Sequence, residues 1–499
     1  MVGVGKPRLD KYDKILSRLF ENLALFHILK RVDGPHAVNA HVPTTLQDAR
    51  RRFLKNLSFI CDYRKGGDTT TSMALENKQK SVVFWIAANL TPNDKVISFL
   101  TEVLELLREE PKETEGEQKA LQNKLAKICA EFAAPRLKKE CKLLHRATRH
   151  CEEYLKLDTD TVQQPGKNAL LKWLSQFSYS TETDTLVLCQ IAYDARHDPQ
   201  MTTLRTLSQQ LNVAPSEIAK TFRAVRHFVG RLAERVRVST HLVQDSLLLE
   251  SLLTSYEIGR VDAPIPAKVP PADGLTNLNS IVKRMLPAND PRLEGMQSYV
   301  AWLSGPMNLE EAIKNMYDGD SGQLCVHSEV QMLEEFHRNR RNFVGSDRYI
   351  ACSKLACLCC KFYFRHHPGM FVEPESHQKS YLNWRPVELP GGRENMYWLD
   401  QRRVLAMLSS ELGKAVEMQI VSQQQPNPWQ PDSMTNVTSS MAAFDLSESQ
   451  EISGDDEGWS EDSASLAHLN EGGFSDGFVD LTYEHSEDES DGGVGLEDW

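Results

Sequence analysis

A largely helical first half, a smaller α/β unit and an acidic tail make up the fold class that this 499-residue sequence predicts. Three observations carry that reading. Apolar residues recur at three- and four-residue spacing through much of the first 258 residues. Strand-like runs alternate with helical patterns after residue 276. From Pro426 to Trp499 there are 19 Asp and Glu and no Lys or Arg. The expected organisation is a helical domain over 1–258, a Pro-rich linker over 259–275, an α/β domain over 276–422 and a disordered acidic tail over 423–499.

In the first part, Leu16, Leu19, Phe20, Leu23 and Phe26 mark one apolar helical face. Val96, Phe99, Leu100, Val103 and Leu104 mark a second. Leu121, Leu125, Ile128 and Phe132 mark a third, with Leu143 and Leu144 further on. Pro111 and Pro135 punctuate these helices. Residues 204–228 resemble a helix-turn-helix, with a turn at Asn212-Val213. Its second helix would present Lys220, Arg223 and Arg226, as a groove-reading helix does. An ordinary all-α packing unit is the alternative. Residues 260–275 hold four prolines and little that packs.

The tail cannot bury enough apolar surface to offset its chain entropy. Within it, Phe478 to Leu481 is an apolar patch followed by acidic residues, similar to motifs that bind ubiquitin-like modifiers by strand addition. The tail also hides the charge balance. The whole chain carries a net charge of −12, yet the first 270 residues hold 40 basic against 32 acidic residues. That modest excess is compatible with a nucleic-acid partner and does not require one.

The opening residues lack an apolar signal core. The run Ser81–Ala88 is far short of the ~20 residues a membrane span needs. The expectation is a cytoplasmic or nuclear protein with no membrane partner. Five of the ten cysteines fall between Cys325 and Cys360. In such a compartment that clustering suits metal binding better than disulfides.

The chemistry concentrates there. His327-Ser328-Glu329 is followed by Cys357 and Cys360. This supplies three metal ligands and one spare carboxylate. A structural zinc takes four protein ligands, whereas a catalytic zinc takes three and keeps an open position. From Ser328 the pattern turns helical, through Val330, Leu333 and Phe336. His327 and Glu329 therefore sit at a helix start, where both side chains can reach one point. Arg348–Ser353 reads as a central strand, and Cys357 opens a second helix. Cys359 and Cys352 offer competing sulfurs. His366 and His367, at a helix end before Pro368-Gly369, read as a solvated cap.

H-x-E with a later C-x-x-C resembles the zinc-dependent cytidine-deaminase-like superfamily. CVHSEVQMLEEF, RYIACSKLACLCCKFYF and SHQKSYLNW look like its fungal and bacterial-toxin-related branch, over roughly residues 300–400. Upstream, Phe59–Glu76 is similar to a stretch of fungal members. Ala356 departs from the proline that usually precedes the first cysteine. The resemblance implies a mixed sheet flanked by helices in an α/β/α arrangement. It implies Zn2+ held by His327, Cys357 and Cys360, with Glu329 as proton shuttle. His377 and Trp384 become candidates to line a pocket for the base. The function implied is hydrolytic deamination of a nucleobase, free, in a nucleotide or in nucleic acid. Two alternatives stand beside it. One is an inactive zinc-binding deaminase fold used as an interaction module. The other is a nucleic-acid-binding regulator that uses residues 204–228.

Overall fold

The computed structural model describes residues 9–29, 45–157, 166–180, 182–210, 216–318 and 323–422. The tail, including Phe478–Leu481, lies outside them.

Alternation of side chains builds the sheet. Strands β1 (Thr71–Asn77) and β2 (Val82–Ala88) form an antiparallel hairpin, with Thr71 opposite Ala88 and Asn77 opposite Val82. Strand β3 (Tyr256–Arg260) joins β2 in parallel, and β4 (Ala351–Cys352) joins β1 antiparallel. The order is β3-β2-β1-β4, a mixed sheet as the resemblance implies. Met73, Leu75, Phe84 and Ile86 point into one core, while Ala74 and Ala87 point into the other. Gly259 stands opposite Trp85, and a Cβ there would come within 2.7 Å of the indole. Only glycine lets β3 lie beside that ring.

Helix α1 (Lys11–Ile28) starts at Asp10, whose carboxylate accepts the N–H groups of Tyr12 and Asp13. Helices α2 (Leu46–Cys61) and α3 (Asp94–Glu109) join the first core. Next come α4 (Glu115–Phe132), α5 (Ala134–Leu157), α6 (Lys167–Ser175), α7 (Thr185–Ala195) and α8 (Pro199–Gln210). Four of them, α4, α5, α7 and α8, pack on the 33-residue α9 (Ser216–Leu248), and α6 bridges α5 and α8. Short α10 (Glu250–Thr254) leads into β3.

Buried charges tie this body to the sheet side. Arg136 of α5 reaches Asp62 at 3.0 Å and Glu140 at 3.0 Å, and Arg231 of α9 reaches Glu140 at 3.4 Å. Burial alone would raise Glu140, but Arg231 and Arg136 outweigh it and hold its pKa well below the usual range.

The second core is made by α1, α11 (Leu278–Lys283), α12 (Arg292–Met307), α13 (Leu309–Asp318), α14 (Ser328–Arg338), α15 (Leu358–His366) and α16 (Trp398–Ser422). Leu23 and Phe26 of α1 meet Leu408 and Leu412 of α16 there, with Val330 and Leu333 of α14 in the same cluster. Ala74 and Ala87 are small, which lets α14 approach the sheet closely.

Two sequence expectations meet different local structure. The sheet draws β1 and β2 from the segment expected to be helical, β3 from across its end at 258, and β4 from beyond the Pro-rich stretch at 259–275. It therefore joins both sides of that expected boundary. Within the stretch, Ala267 pairs with Leu324. Arg348–Ser353 is not a central strand: only Ala351–Cys352 is strand, at the sheet edge. The backbone around it is engaged elsewhere, with the Arg348 carbonyl accepting from Val372 N–H and the Asp347 carbonyl from Tyr349 N–H. In the helix-turn-helix-like segment, the turn residues 211–215 lie outside the described residues. Its second helix is the start of α9, with Phe222, Val225 and Val229 fully buried. Lys220, Arg223 and Arg226 are half-buried, and Arg223 donates to the Ser208 carbonyl at 3.4 Å.

Candidate metal centre

Two helices begin on the key side chains. His327 is the N-cap of α14, in extended conformation at φ −68 and ψ 147. Cys357 is the N-cap of α15, at φ −72 and ψ 167. An extended cap residue can turn its side chain across the helix mouth; Cys357 does so, whereas His327 makes no side-chain cap bond and is free to face the sulfurs. The Cys357 sulfur accepts the Cys360 N–H at 3.4 Å, so it caps its own helix.

The ligand atoms converge. His327 Nδ1 lies 3.5 Å from Cys357 Sγ and 3.4 Å from Cys360 Sγ, and the sulfurs are 3.4 Å apart. Zinc bonds of about 2.3 Å to sulfur and about 2.0 Å to nitrogen, at tetrahedral angles, give separations of about 3.8 Å between sulfurs and about 3.5 Å between sulfur and nitrogen. The donor set and its spacing therefore fit one zinc ion. Among the described residues, this is the one group of three or more His, Cys, Asp or Glu close enough to share a metal. Cys352 and Cys359 do not join it.

Electrostatics support a charged cluster. Burial pushes all three groups toward their neutral forms. The Cys359, Cys360 and His327 side chains nevertheless pull Cys357 well below the usual thiol range. The Cys357 sulfur in turn holds His327 well above its usual range. Cys360 is pushed up by burial and by Cys357. The two thiols are thus driven apart in acidity by their mutual contact, and a divalent cation would favour the ionised form of both.

Glu329 lies in the first turn of α14, 3 % exposed. Ser328 Oγ reaches its Oε2 at 3.4 Å, and Cys352 Sγ lies 4.0 Å from the same oxygen. Burial raises its pKa most, with His327 opposing. It is a buried carboxyl group, its acidity weakened by burial, beside the His/Cys/Cys group.

Several supporting residues escaped the sequence reading. Asn89, just after β2, accepts the Ser328 N–H at 2.8 Å and donates to the Gly67 carbonyl at 2.9 Å. Ser72 of β1 meets Ser328 Oγ at 2.8 Å. Gln331 donates to the carbonyls of Ala88 at 3.0 Å and Val326 at 2.7 Å, pinning the mouth of α14 to the end of β2. The cluster Asn89 to Asn93 is a turn signal next to an apolar run, and it was the available clue.

The two pocket candidates are both buried near the ligands. His377 Nδ1 accepts the Lys379 N–H at 3.0 Å, and its ring lies 5.6 Å from Tyr381, which in turn lies 5.8 Å from His327. Trp384 is 1 % exposed and points its indole N–H at Cys360 Sγ, 3.1 Å away. A groove of about 200 Å³ runs between α1, Ala267–Pro271 and Pro386, and Trp384 lines it. None of His327, Glu329, Cys357 or Cys360 does. The donor set, not concavity, marks the site.

Behind the ligands, His367 is buried rather than solvated. Its Nε2 lies 3.6 Å from Glu334 Oε1, which also accepts the Tyr363 hydroxyl. Burial would raise Glu334, but hydrogen bonds from His367 and Tyr363 and the charge of Arg338 pull it down to about 2.

Comparison with known proteins agrees with this class of domain. A deaminase-like family model, OTT_1508_deam, matches residues 326–388, the segment that carries His327, Glu329, Cys357 and Cys360. No curated protein and no solved structure matches the chain. The chain thus contains a deaminase-like segment with a buried His/Cys/Cys group able to hold a metal. Among the described residues, no helix is long and apolar enough to cross a membrane.

Proposed function

We propose that this protein is a zinc-dependent hydrolytic deaminase of a nucleobase, taken free, in a nucleotide or in nucleic acid. The observation that carries the reading is the convergence of His327, Cys357 and Cys360 beside Glu329, inside the deaminase-like segment. Bound zinc supplies Lewis acidity, which makes water a competent nucleophile near neutral pH.

This chain's own residues would do the rest. His327, Cys357 and Cys360 hold the ion. Glu329 takes a proton from the attacking water and returns it to the departing amine nitrogen. The amine-bearing carbon becomes a carbonyl and ammonia leaves. A buried carboxylate with a raised pKa suits both halves of that shuttle. Ser328 and Cys352 flank it and limit its swing.

The test is ammonia release from bases, nucleosides, nucleotides and oligonucleotides, with Glu329→Gln as control. Turnover should appear on one substrate class and vanish in the Gln variant while metal content stays the same. A zinc-loaded protein whose turnover survives Glu329→Gln would remove Glu329 from the mechanism.

A further inference from the structure

Each sulfur of the cluster accepts an N–H from a residue other than His327. The Cys360 backbone N–H serves Cys357 at 3.4 Å. The Trp384 indole N–H serves Cys360 at 3.1 Å. The first is a helix cap and follows from local sequence. The second comes from 24 residues away and needs an explanation.

Trp384 is held on both sides. Its own N–H donates to the Tyr381 carbonyl at 3.3 Å. Its segment pairs in parallel with Cys325: the Cys325 N–H donates to the Asn383 carbonyl at 2.7 Å, and the Arg385 N–H to the Cys325 carbonyl at 3.0 Å. Two residues after Cys325 comes His327. The indole ring packs 6.0 Å from Tyr363, one turn after Cys360 on α15. One rigid segment thus fixes the approach to His327 through its backbone and the position of Cys360 through its side chain.

We propose that Trp384 is a positioning residue of the metal centre, its buried indole N–H orienting Cys360 Sγ as a ligand. This deepens the zinc reading and rests on it. A stacking platform for a base needs an accessible ring face, and Trp384 is 1 % exposed. A hydrogen bond to a ligand sulfur does two things: it fixes the rotamer and draws electron density from the thiolate. Such partners, when removed, typically cost about 10–100-fold in metal affinity.

The experiment uses the full chain and two variants. Trp384→Phe removes the N–H and part of the ring. Trp384→benzothienylalanine keeps the fused ring and removes only the N–H. Zinc affinity is read by chelator competition. The thiolate-to-cobalt charge-transfer band is read on cobalt-substituted protein. Both variants should bind zinc about 10–100-fold more weakly, and both should shift the band. Wild-type affinity and band in the benzothienylalanine protein, with loss in Trp384→Phe, would reduce Trp384 to a packing role and overturn the proposal. Failure of the wild-type chain to bind one zinc or cobalt would overturn the metal reading itself. The two failures are distinguishable because the second is seen without any variant.

Discussion

Asn89→Ala offers a direct test of how the sheet positions the metal ligands. Asn89 Oδ1 accepts the N–H of Ser328, the residue after His327, at 2.8 Å. Its Nδ2 donates to the Gly67 carbonyl at 2.9 Å. Ser328 is fully buried, so the substitution leaves its N–H without an acceptor. Stranding one buried donor costs about 1–3 kcal/mol, and losing the exposed-side bond adds about 0.5–1 kcal/mol. The expected loss is roughly 1.5–4 kcal/mol. Asn89→Asp keeps the acceptor and loses only the donor, so it should fall between the wild type and Asn89→Ala. Urea unfolding gives the stability change, provided the denaturant slope stays constant. Zinc titration of the same proteins should show a parallel loss of about tenfold, because His327 is the cap of the loosened helix. An Asn89→Ala protein within about 0.5 kcal/mol of wild type, with unchanged zinc affinity, would refute the claim that this hydrogen bond holds the site.

Four further outcomes follow from the packing and the charges. Gly259→Ala puts a Cβ 2.7 Å from the Trp85 ring, and thermal unfolding should show destabilisation of about 1–3 kcal/mol from overpacking. Glu334 has a folded pKa of about 2, below its usual value of 4.5. Its contribution is therefore complete above about pH 4.5 and is lost as pH falls toward 2. Glu334→Gln should flatten that limb of the stability curve. His241 is held down to about 4, chiefly by burial and then by Arg237 and Arg52. It favours the fold only above its unfolded value of 6.5, so stability should begin to fall below that pH and His241→Gln should remove the early shoulder. Should the protein bind duplex through Lys220, Arg223 and Arg226, replacing all three with Ala should reduce the salt slope by roughly 0.9 for each phosphate no longer neutralised. An unchanged slope would exclude that surface.

Local patterns were readable and pairings were not. The faces of α1, α3 and α4 follow from apolar spacing alone, and Leu23, Leu104 and Leu125 are buried as that spacing requires. His327 and Cys357 both fall at helix starts because the helical pattern begins immediately after each. The sheet was harder to see. Its strands come from residues 71–88, 256–260 and 351–352, and a hydrogen-bond partner some 170 or 280 residues away leaves no local mark. Val82–Ala88 was visible as an apolar run, but buried strands and buried helix segments look alike at that length. His367 likewise reads as a solvated cap because its partner, Glu334, lies on another helix. The N–H of Trp384 could not be paired with Cys360 from spacing for the same reason.

The central claim is that one imidazole and two sulfurs hold a single zinc with one position left for a light atom. Zinc K-edge X-ray absorption on the purified full chain measures that directly. The expected spectrum fits two sulfurs at about 2.3 Å and two nitrogen or oxygen neighbours at about 2.0 Å. A shell of three or four sulfurs, drawn from Cys325, Cys352 or Cys359, would make the site structural and contradict a deaminase mechanism.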